Sequence, residues 1–472
     1  MKKRLFSTII ISACLAVSSM IPAWAEPAND TENNSKAVQT QTLPTDTKDA
    51  EPTGPAAHAE SAILADMASG KILFSKNPNQ KVYPASTTKI LTGILVLENA
   101  QLEDVVIASE EAIAPITNKH SHMGILIGEE LTVEQLLYGM LVYSANDAAN
   151  VLAVHVAGSL DAFVQMMNDK AAELGATGSH FVNPHGFHDD NHYTTATDLL
   201  TVSRYAMQNE KFREIVKTDM YTIPETNKYK ETRYLSSTNH LISRRRYANY
   251  FYDKAIGIKT GYTDEAGSCL VSAAVKNDTE LISVVMNCAN TTAVENGAYS
   301  FVDSKELLEY GFENYKYITV AAPGDIVSDS SVYEAKDDIR VAMTVDADIA
   351  NILPIDYDTN EVVYNITYAD KKVRAPIAKG DILGTISYTY KGEEIGTASI
   401  VATNDVKRDY IITIIHIITK IFLNPIFLIL LVLIILLRTR AVMIRKKRRR
   451  ARRNRLQHVS HNTQYTHSRK RR

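Results

Sequence analysis

The sequence predicts a mixed α/β body, a sheet plus a helical cluster, followed by a small all-β domain and a C-terminal transmembrane helix. Three observations carry this. Strand-like runs open and close residues 58–315, with helical spacing between them. From Tyr317 to Ala402, short alternating apolar runs are separated by turn residues. Ile426–Leu437 is almost purely Ile, Leu, Val and Phe, and Arg and Lys crowd in directly after it.

In chain order, residues 1–25 read as a signal peptide. Lys2, Lys3 and Arg4 precede the apolar run Leu5–Val17, and Ala23-Trp24-Ala25 is a small-x-small cleavage site. Residues 26–57 are poor in large apolar side chains and read as a disordered leader. The body, 58–315, starts with strands at Ala62–Asp66 and Lys71–Ser75 around the turn Ala68-Ser69-Gly70. Ile90, Leu91, Ile94 and Leu97 follow helical spacing behind Pro84 and Ser86. Further helices are expected over Thr132–Val142, Asp147–Val156, Leu160–Leu174 and Thr197–Asn209. After Ala255 the pattern turns to strands, including Leu270–Val275 and Leu281–Met286 about Asn277-Asp278. The body then closes on a helical run, Ser304–Tyr315.

Residues 316–405 form the all-β block, which contains no Cys, His or Trp. The anchor segment, 411–437, carries a polar stripe at Thr413, His416, Lys420 and Asn424. Either an interfacial helix precedes a span, or one tilted span starts near Ile414 with Lys420 snorkelling. Positive residues stay cytoplasmic, so 438–472 reads as a basic cytoplasmic tail and the body as exported.

Charge narrows the functional classes. The tail holds 15 of the 51 Lys and Arg, and no Asp or Glu. With three more at the N-terminus, residues 26–437 are left with 33 basic and 54 acidic side chains. Such an acidic body is a poor candidate for nucleic-acid binding, which needs a basic face. Cys14 leaves with the signal peptide. Pairing about Asn277-Asp278 places Cys269 and Cys288 nearly opposite, so a bridge and two free thiols are both open.

Three short motifs carry chemistry. Ser86 and Lys89 lie three apart, hence on one face of a helix. A serine hydroxyl needs a base, and a lysine serves only when burial or a second cation keeps its amine neutral. Ser144 and Asn146 sit in a polar break, Tyr143-Ser144-Ala145-Asn146, between two apolar helices. There a hydroxyl and an amide can face one cavity, although a simple helix-linking cap has the same pattern. Lys259, Thr260 and Gly261 open a strand segment ahead of Tyr262. A cation and a hydroxyl suit a carboxylate, and glycine permits close approach. Lysine and threonine alternate across a strand, so facing one site together requires local twist or backbone help. His180, His185, His188 and His192, with Asp189 and Asp190, lack the H-E-x-x-H spacing and read as loop residues, so no metal or cofactor is expected.

S-x-x-K, S-x-N and K-T-G in this order resemble the motif triplet of penicillin-binding proteins and serine β-lactamases. Ala62–Tyr315 resembles the D-alanyl-D-alanine carboxypeptidases, the low-molecular-mass penicillin-binding proteins. Asn183-Pro184-His185-Gly186, Thr194–Leu199 and Lys259–Gly267 add to the likeness, as do the β block and the C-terminal anchor. The resemblance implies a penicillin-binding/β-lactamase-like transpeptidase domain acting on peptidoglycan stem peptides and acylated by β-lactam antibiotics. It implies Ser86 as nucleophile, Lys89 as general base and Ser144 as proton relay. Asn146 would hold the substrate amide, and Lys259 and Thr260 the terminal carboxylate. The backbone N–H groups of Ser86 and Tyr262 would form the oxyanion hole. Some relatives carry histidine where Tyr262 stands. Competing readings are a DD-endopeptidase or transpeptidase, a β-lactamase, and a catalytically silent wall-binding protein.

Overall fold

The computed structural model describes residues 55, 58–117, 119–245, 247–288, 299–336 and 339–468. The signal peptide, nearly all of the leader and the last four residues of the tail lie outside the described residues.

The chain begins with a hairpin, β1 (Ala59–Asp66) and β2 (Ile72–Lys76). Next come α1 (Lys89–Asn99), β3 (Val105–Ile107), α2 (Glu110–Ile113), β4 (Glu130–Thr132), α3 (Val133–Leu141), α4 (Asn146–Ala157) and α5 (Leu160–Glu173). Then follow α6 (Ala196–Ala206), α7 (Glu210–Val216), β5 (Met220–Ile223) and β6 (Arg233–Ser236). Strands β7 (Ala255–Thr263), β8 (Gly267–Lys276) and β9 (Thr279–Cys288) lead to α8 (Tyr299–Asn314). The main sheet is antiparallel, in the order β2-β1-β9-β8-β7, so β7 is an edge strand.

Alternation along β1 explains the layers. Ile63 and Ala65 enter the core shared with the helical cluster, whereas Ala62 and Leu64 pack with Leu307, Leu308 and Phe312 of α8. Both faces are therefore covered, which is why the central stretches of β8 and β9 are buried without alternation, Ser272 and Ser283 included. Helix α3 starts where expected. Thr132 and Gln135 form a reciprocal capping box, which satisfies two otherwise orphaned N–H groups.

The expected stretch Thr197–Asn209 is divided. Helix α6 ends at Ala206, and Asn209 caps a separate α7 by accepting from Phe212 N–H. The closing helix starts earlier than Ser304, because Phe301 packs in the same core as Leu307 and Leu308. Cys269 and Cys288 are both buried and free. The β8–β9 ladder slips between Ser268 and Leu270, and Cys288 faces Ser268 instead.

Strand β10 (Tyr315–Ala321) follows α8 directly. Then come β11 (Ser328–Ser331), β12 (Arg340–Val345), β13 (Ile349–Pro354), β14 (Val362–Tyr368), β15 (Ile382–Tyr390) and β16 (Glu393–Ala402). β10 pairs with β13, and the other five form an antiparallel sheet, β11-β12-β16-β15-β14. Alternate residues Val341, Met343 and Val345 of β12 meet Ile386 and Ile400 in its core. Tyr317 Oη donates to Asp66 (2.8 Å) and Lys71 pairs with Glu393 (3.0 Å), joining this block to the main sheet.

Two helices end the described chain. α9 (Tyr410–Phe422) is capped by Asp409 and separated from α10 (Pro425–Ser468) at Asn424, which caps α10. Ile412, Thr413 and His416 are half-buried, and the His416 ring stacks on Tyr333 at 4.3 Å. Ile411, Ile414, Ile415, Ile417, Ile418 and Ile421 remain exposed. Among the described residues, the helix over Pro425–Asn454 is long and apolar enough to cross a membrane.

Candidate active site

Ser86 sits in a short 3-10 turn, Ala85–Thr88, that runs into α1 at Lys89. Ala85 has a positive φ of 47°, unusual for a residue with a Cβ. Two glycines clamp this turn. A Cβ on Gly261 would come within 2.9 Å of Pro84 O and 3.1 Å of Ser86 N. One on Gly186, which has φ +84°, would meet Ala85 O at 1.8 Å. Backbone from β7 and from the 183–187 loop thus packs directly against the serine turn, and only hydrogen side chains leave room.

Lys89 Nζ lies 2.8 Å from Ser86 Oγ and 2.7 Å from His185 O. The side chain is fully buried. Burial lowers its pKa well below the ordinary lysine range, Lys259 adds to this, and Asp147 partly offsets it. The amine is thereby biased toward its neutral, proton-accepting form.

Lys259 Nζ donates to Ser144 Oγ (3.0 Å) and to Thr260 O (3.1 Å). Burial brings its pKa down to about 7. Ser144 has φ +69° and follows the end of α3, and Asn146 is the first residue of α4. Asn146 Oδ1 is buried without a hydrogen-bond partner, an amide atom with capacity left for a ligand.

The alternation problem in β7 resolves through a residue that motif reading missed. Lys259 reaches Ser144 directly, whereas Thr260 Oγ1 shares a 2.6 Å hydrogen bond with Thr238 Oγ1. The N–H of Thr238 donates to Val142 O, beside the Ser144 break. Both β7 side chains are thus tied to the same helix junction. The Tyr262 side chain is exposed, and its hydroxyl donates to Asp264.

Two buried acids also escaped the motifs. The Asp147 carboxylate accepts from the N–H groups of Met123, Ile125 and Ala148. Glu129 pairs with Arg233 at 2.7 Å, and Arg233 also donates to the carbonyls of Met123 and Gly124. Together they pin the segment whose Ser121 carbonyl accepts from Asn146 N–H (2.8 Å).

The histidines have separate partners. His192 Nδ1 accepts from Val182 N–H, so its Nε2–H faces Thr88 Oγ1 at 2.8 Å. His180 meets Asn191 O, and His188 packs edge-on against Tyr83. Among the described residues, no three His, Cys, Asp or Glu side chains converge as metal ligands.

Known proteins share this plan. The D-alanyl-D-alanine carboxypeptidase family matches residues 46–290, and the C-terminal domain of penicillin-binding protein 5 matches residues 315–408. The D-alanyl-D-alanine carboxypeptidase DacF of Bacillus subtilis is 32% identical over 373 residues, covering 78% of this chain and 90% of the relative. DacA of Haemophilus influenzae is 31% identical, covering 75% and 86%. Among solved structures, penicillin-binding protein 5 of Haemophilus influenzae superposes with a TM-score of 0.58 at 30% identity, covering 76% of this chain and all of that one. A peptidoglycan synthesis regulatory factor (PBP3) of Streptococcus pneumoniae gives 0.61 at 27% identity, covering 75% and 100%. A buried lysine against a serine, a second lysine against a second serine, and this two-part match over most of the described body lead to one conclusion: the chain belongs to the penicillin-binding D-alanyl-D-alanine carboxypeptidase family of serine hydrolases.

Proposed function

We propose that the chain removes the terminal D-alanine from peptidoglycan stem peptides through an acyl-enzyme on Ser86. The observation that carries this reading is the 2.8 Å contact between Ser86 Oγ and a buried Lys89 amine whose proton affinity is depressed. Lys89 takes the Ser86 proton as Oγ attacks the carbonyl between the two D-alanines. The backbone N–H groups of Ser86 and Tyr262 stabilise the oxyanion, each such donor being worth about 3 kcal/mol of barrier. Ser144 passes a proton to the leaving amine, and Lys259 supports its hydroxyl. Asn146 holds the substrate amide. Lys259 and Thr260 take the terminal carboxylate, and Gly261 lets β7 lie beside the reacting bond. Water then resolves the ester. Penicillins enter the same path and acylate Ser86.

We assign residues 58–315 to the peptidase domain and 316–405 to a docking or spacer domain. The segment 411–437 is the membrane anchor, with the body outside and the tail inside. The Asn424 break and the seating of His416 on Tyr333 favour an interfacial α9 ahead of the spanning α10. Deleting 411–472 releases an active soluble enzyme; activity lost without unfolding contradicts a pure anchor.

The decisive experiment is intact mass after incubation with a penicillin, followed by peptide mapping. A stable one-to-one adduct on the Ser86 peptide, absent in Ser86→Ala, supports the reading. Rapid drug loss without adduct points to a β-lactamase, and intact drug without adduct to a silent binding protein.

A further inference from the structure

We propose that Asn183 is the positioning residue for the Lys89 base and acts through the backbone carbonyl of His185. The proposal rests on the roles given above to Ser86 and Lys89.

One amide organises the turn that carries this carbonyl. Asn183 Oδ1 accepts from Gly186 N–H (2.7 Å) and His185 N–H (3.3 Å), and its Nδ2 donates to Phe187 O (2.8 Å). A second tether comes from α1, where the buried Thr92 Oγ1 donates to Pro184 O at 2.6 Å. The result is a carbonyl 2.7 Å from Lys89 Nζ, on a loop pressed against Ala85 through Gly186.

The chemistry follows from the shape of an amine. A neutral Nζ has two N–H bonds and one lone pair. With one N–H engaged by His185 O, rotation about the last side-chain bond is restricted, and the lone pair can point at the Ser86 hydroxyl. Without that acceptor the amine turns freely, and productive geometry becomes one orientation among several. The same carbonyl favours the ammonium form, so withdrawing it lowers the proton affinity of Lys89 further.

The other groups facing Lys89 are Lys259 from β7, Asp147 from α4, and His120, His185 and His192 from loops. Burial holds the three histidine pKa values below the ordinary range, His192 at about 3. They stay largely neutral near pH 7, and Asn183 itself carries no charge. A change at Asn183 therefore reaches Lys89 through geometry and through one lost acceptor.

The test measures the rate of acylation by a penicillin from about pH 5 to about pH 10 on the full-length protein in detergent. Wild type is compared with Asn183→Ala, Asn183→Asp and Thr92→Val. Asn183→Ala is expected to lower the plateau on the order of 10- to 100-fold and to move the acid limb to lower pH. Asn183→Asp keeps the oxygen that organises the turn, so it regains most of the plateau, while its negative charge moves the limb to higher pH. Thr92→Val loosens the same loop and shifts the limb in the direction of Asn183→Ala, by less. A merely structural role predicts a uniform loss at every pH, tracking the loss of folded protein. That result, or an unmoved limb in both Asn183→Ala and Thr92→Val, overturns the proposal. If Asn183→Ala does not fold, Thr92→Val decides. Penicillin mapped away from Ser86 in the wild type overturns the nucleophile assignment itself and is read separately from the limb shifts.

Discussion

Gly186 stands so close to Ala85 that a β-carbon on it would fall 1.8 Å from the Ala85 carbonyl oxygen. The residue next to Ser86 and the residue next to His185, whose carbonyl Lys89 contacts, are in backbone contact. Gly186→Ala should therefore displace the serine turn and cut penicillin acylation on the order of 100-fold. Gly158→Ala is the matched control. It has a similar φ of +81° but open space around it, so it should cost only about 1 kcal/mol of stability and leave acylation intact. Denaturation and acylation measured on both variants separate steric displacement from backbone strain.

Ser144→Ala removes the hydroxyl that Lys259 supports but leaves the Ser86–Lys89 contact in place. Turnover of a D-alanyl-D-alanine peptide should fall on the order of 10²- to 10⁴-fold, the usual range for a lost proton-transfer group. Circular dichroism should be unchanged. Near-normal turnover would remove Ser144 from the proton path.

Lys259, with its pKa lowered to about 7, links the site to stability. In the unfolded chain a lysine keeps its proton up to about pH 10.4. Between these values the unfolded state binds more protons than the native state, so this group makes stability rise with pH. Below about pH 7 its burial cost is fully present. Lys259→Met should therefore stabilise the fold at pH 6 by on the order of a few kcal/mol and flatten the rise toward pH 10, while abolishing activity. Thermal unfolding across pH checks the sign.

The Arg233–Glu129 pair is buried, with 5% and 0% of the two side chains exposed. Burial alone would raise the Glu129 pKa, but the hydrogen bonds from Arg233, Leu126 and Thr226 outweigh it and the net shift is downward. A depressed carboxylate stabilises the fold above its unfolded pKa, and this is lost as pH falls through the folded value. Arg233→Met strands the carboxylate and should cost about 3–5 kcal/mol. The double variant with Glu129→Leu should recover a large part of that. Chemical denaturation of Arg233→Met, Glu129→Leu and the double variant gives the coupling directly.

What the sequence revealed divides along sequence distance. S-x-x-K, S-x-N and K-T-G are each local, and their residue types state a chemistry before any fold is known. The Ser86–Lys89 contact lies within one of them, and the Ser144–Lys259 contact follows from how the segments converge. Thr238 lies outside all three motifs, and its partner Thr260 is 22 residues away. The His185 contribution is a backbone carbonyl, which no residue type advertises. Asp147 sat beside a noticed motif, but its partners are N–H groups of a distant loop. The long periodic helices were readable in the same way. Helix α7 and the short strands β3–β6 were not, because three to seven residues hold too little periodicity to stand out.

The two interior lysines have one further consequence. Burial lowers the proton affinity of both amines, that of Lys259 to a pKa of about 7, so near neutral pH Lys259 carries only part of its charge. In the proposed carboxylate-binding role of Lys259, an arriving anion raises its proton affinity, and the lysine takes up a proton from solvent. Ligand capture and proton uptake are then one linked equilibrium. The site becomes cationic in response to its anion, and the apparent binding enthalpy should depend on the ionisation heat of the buffer.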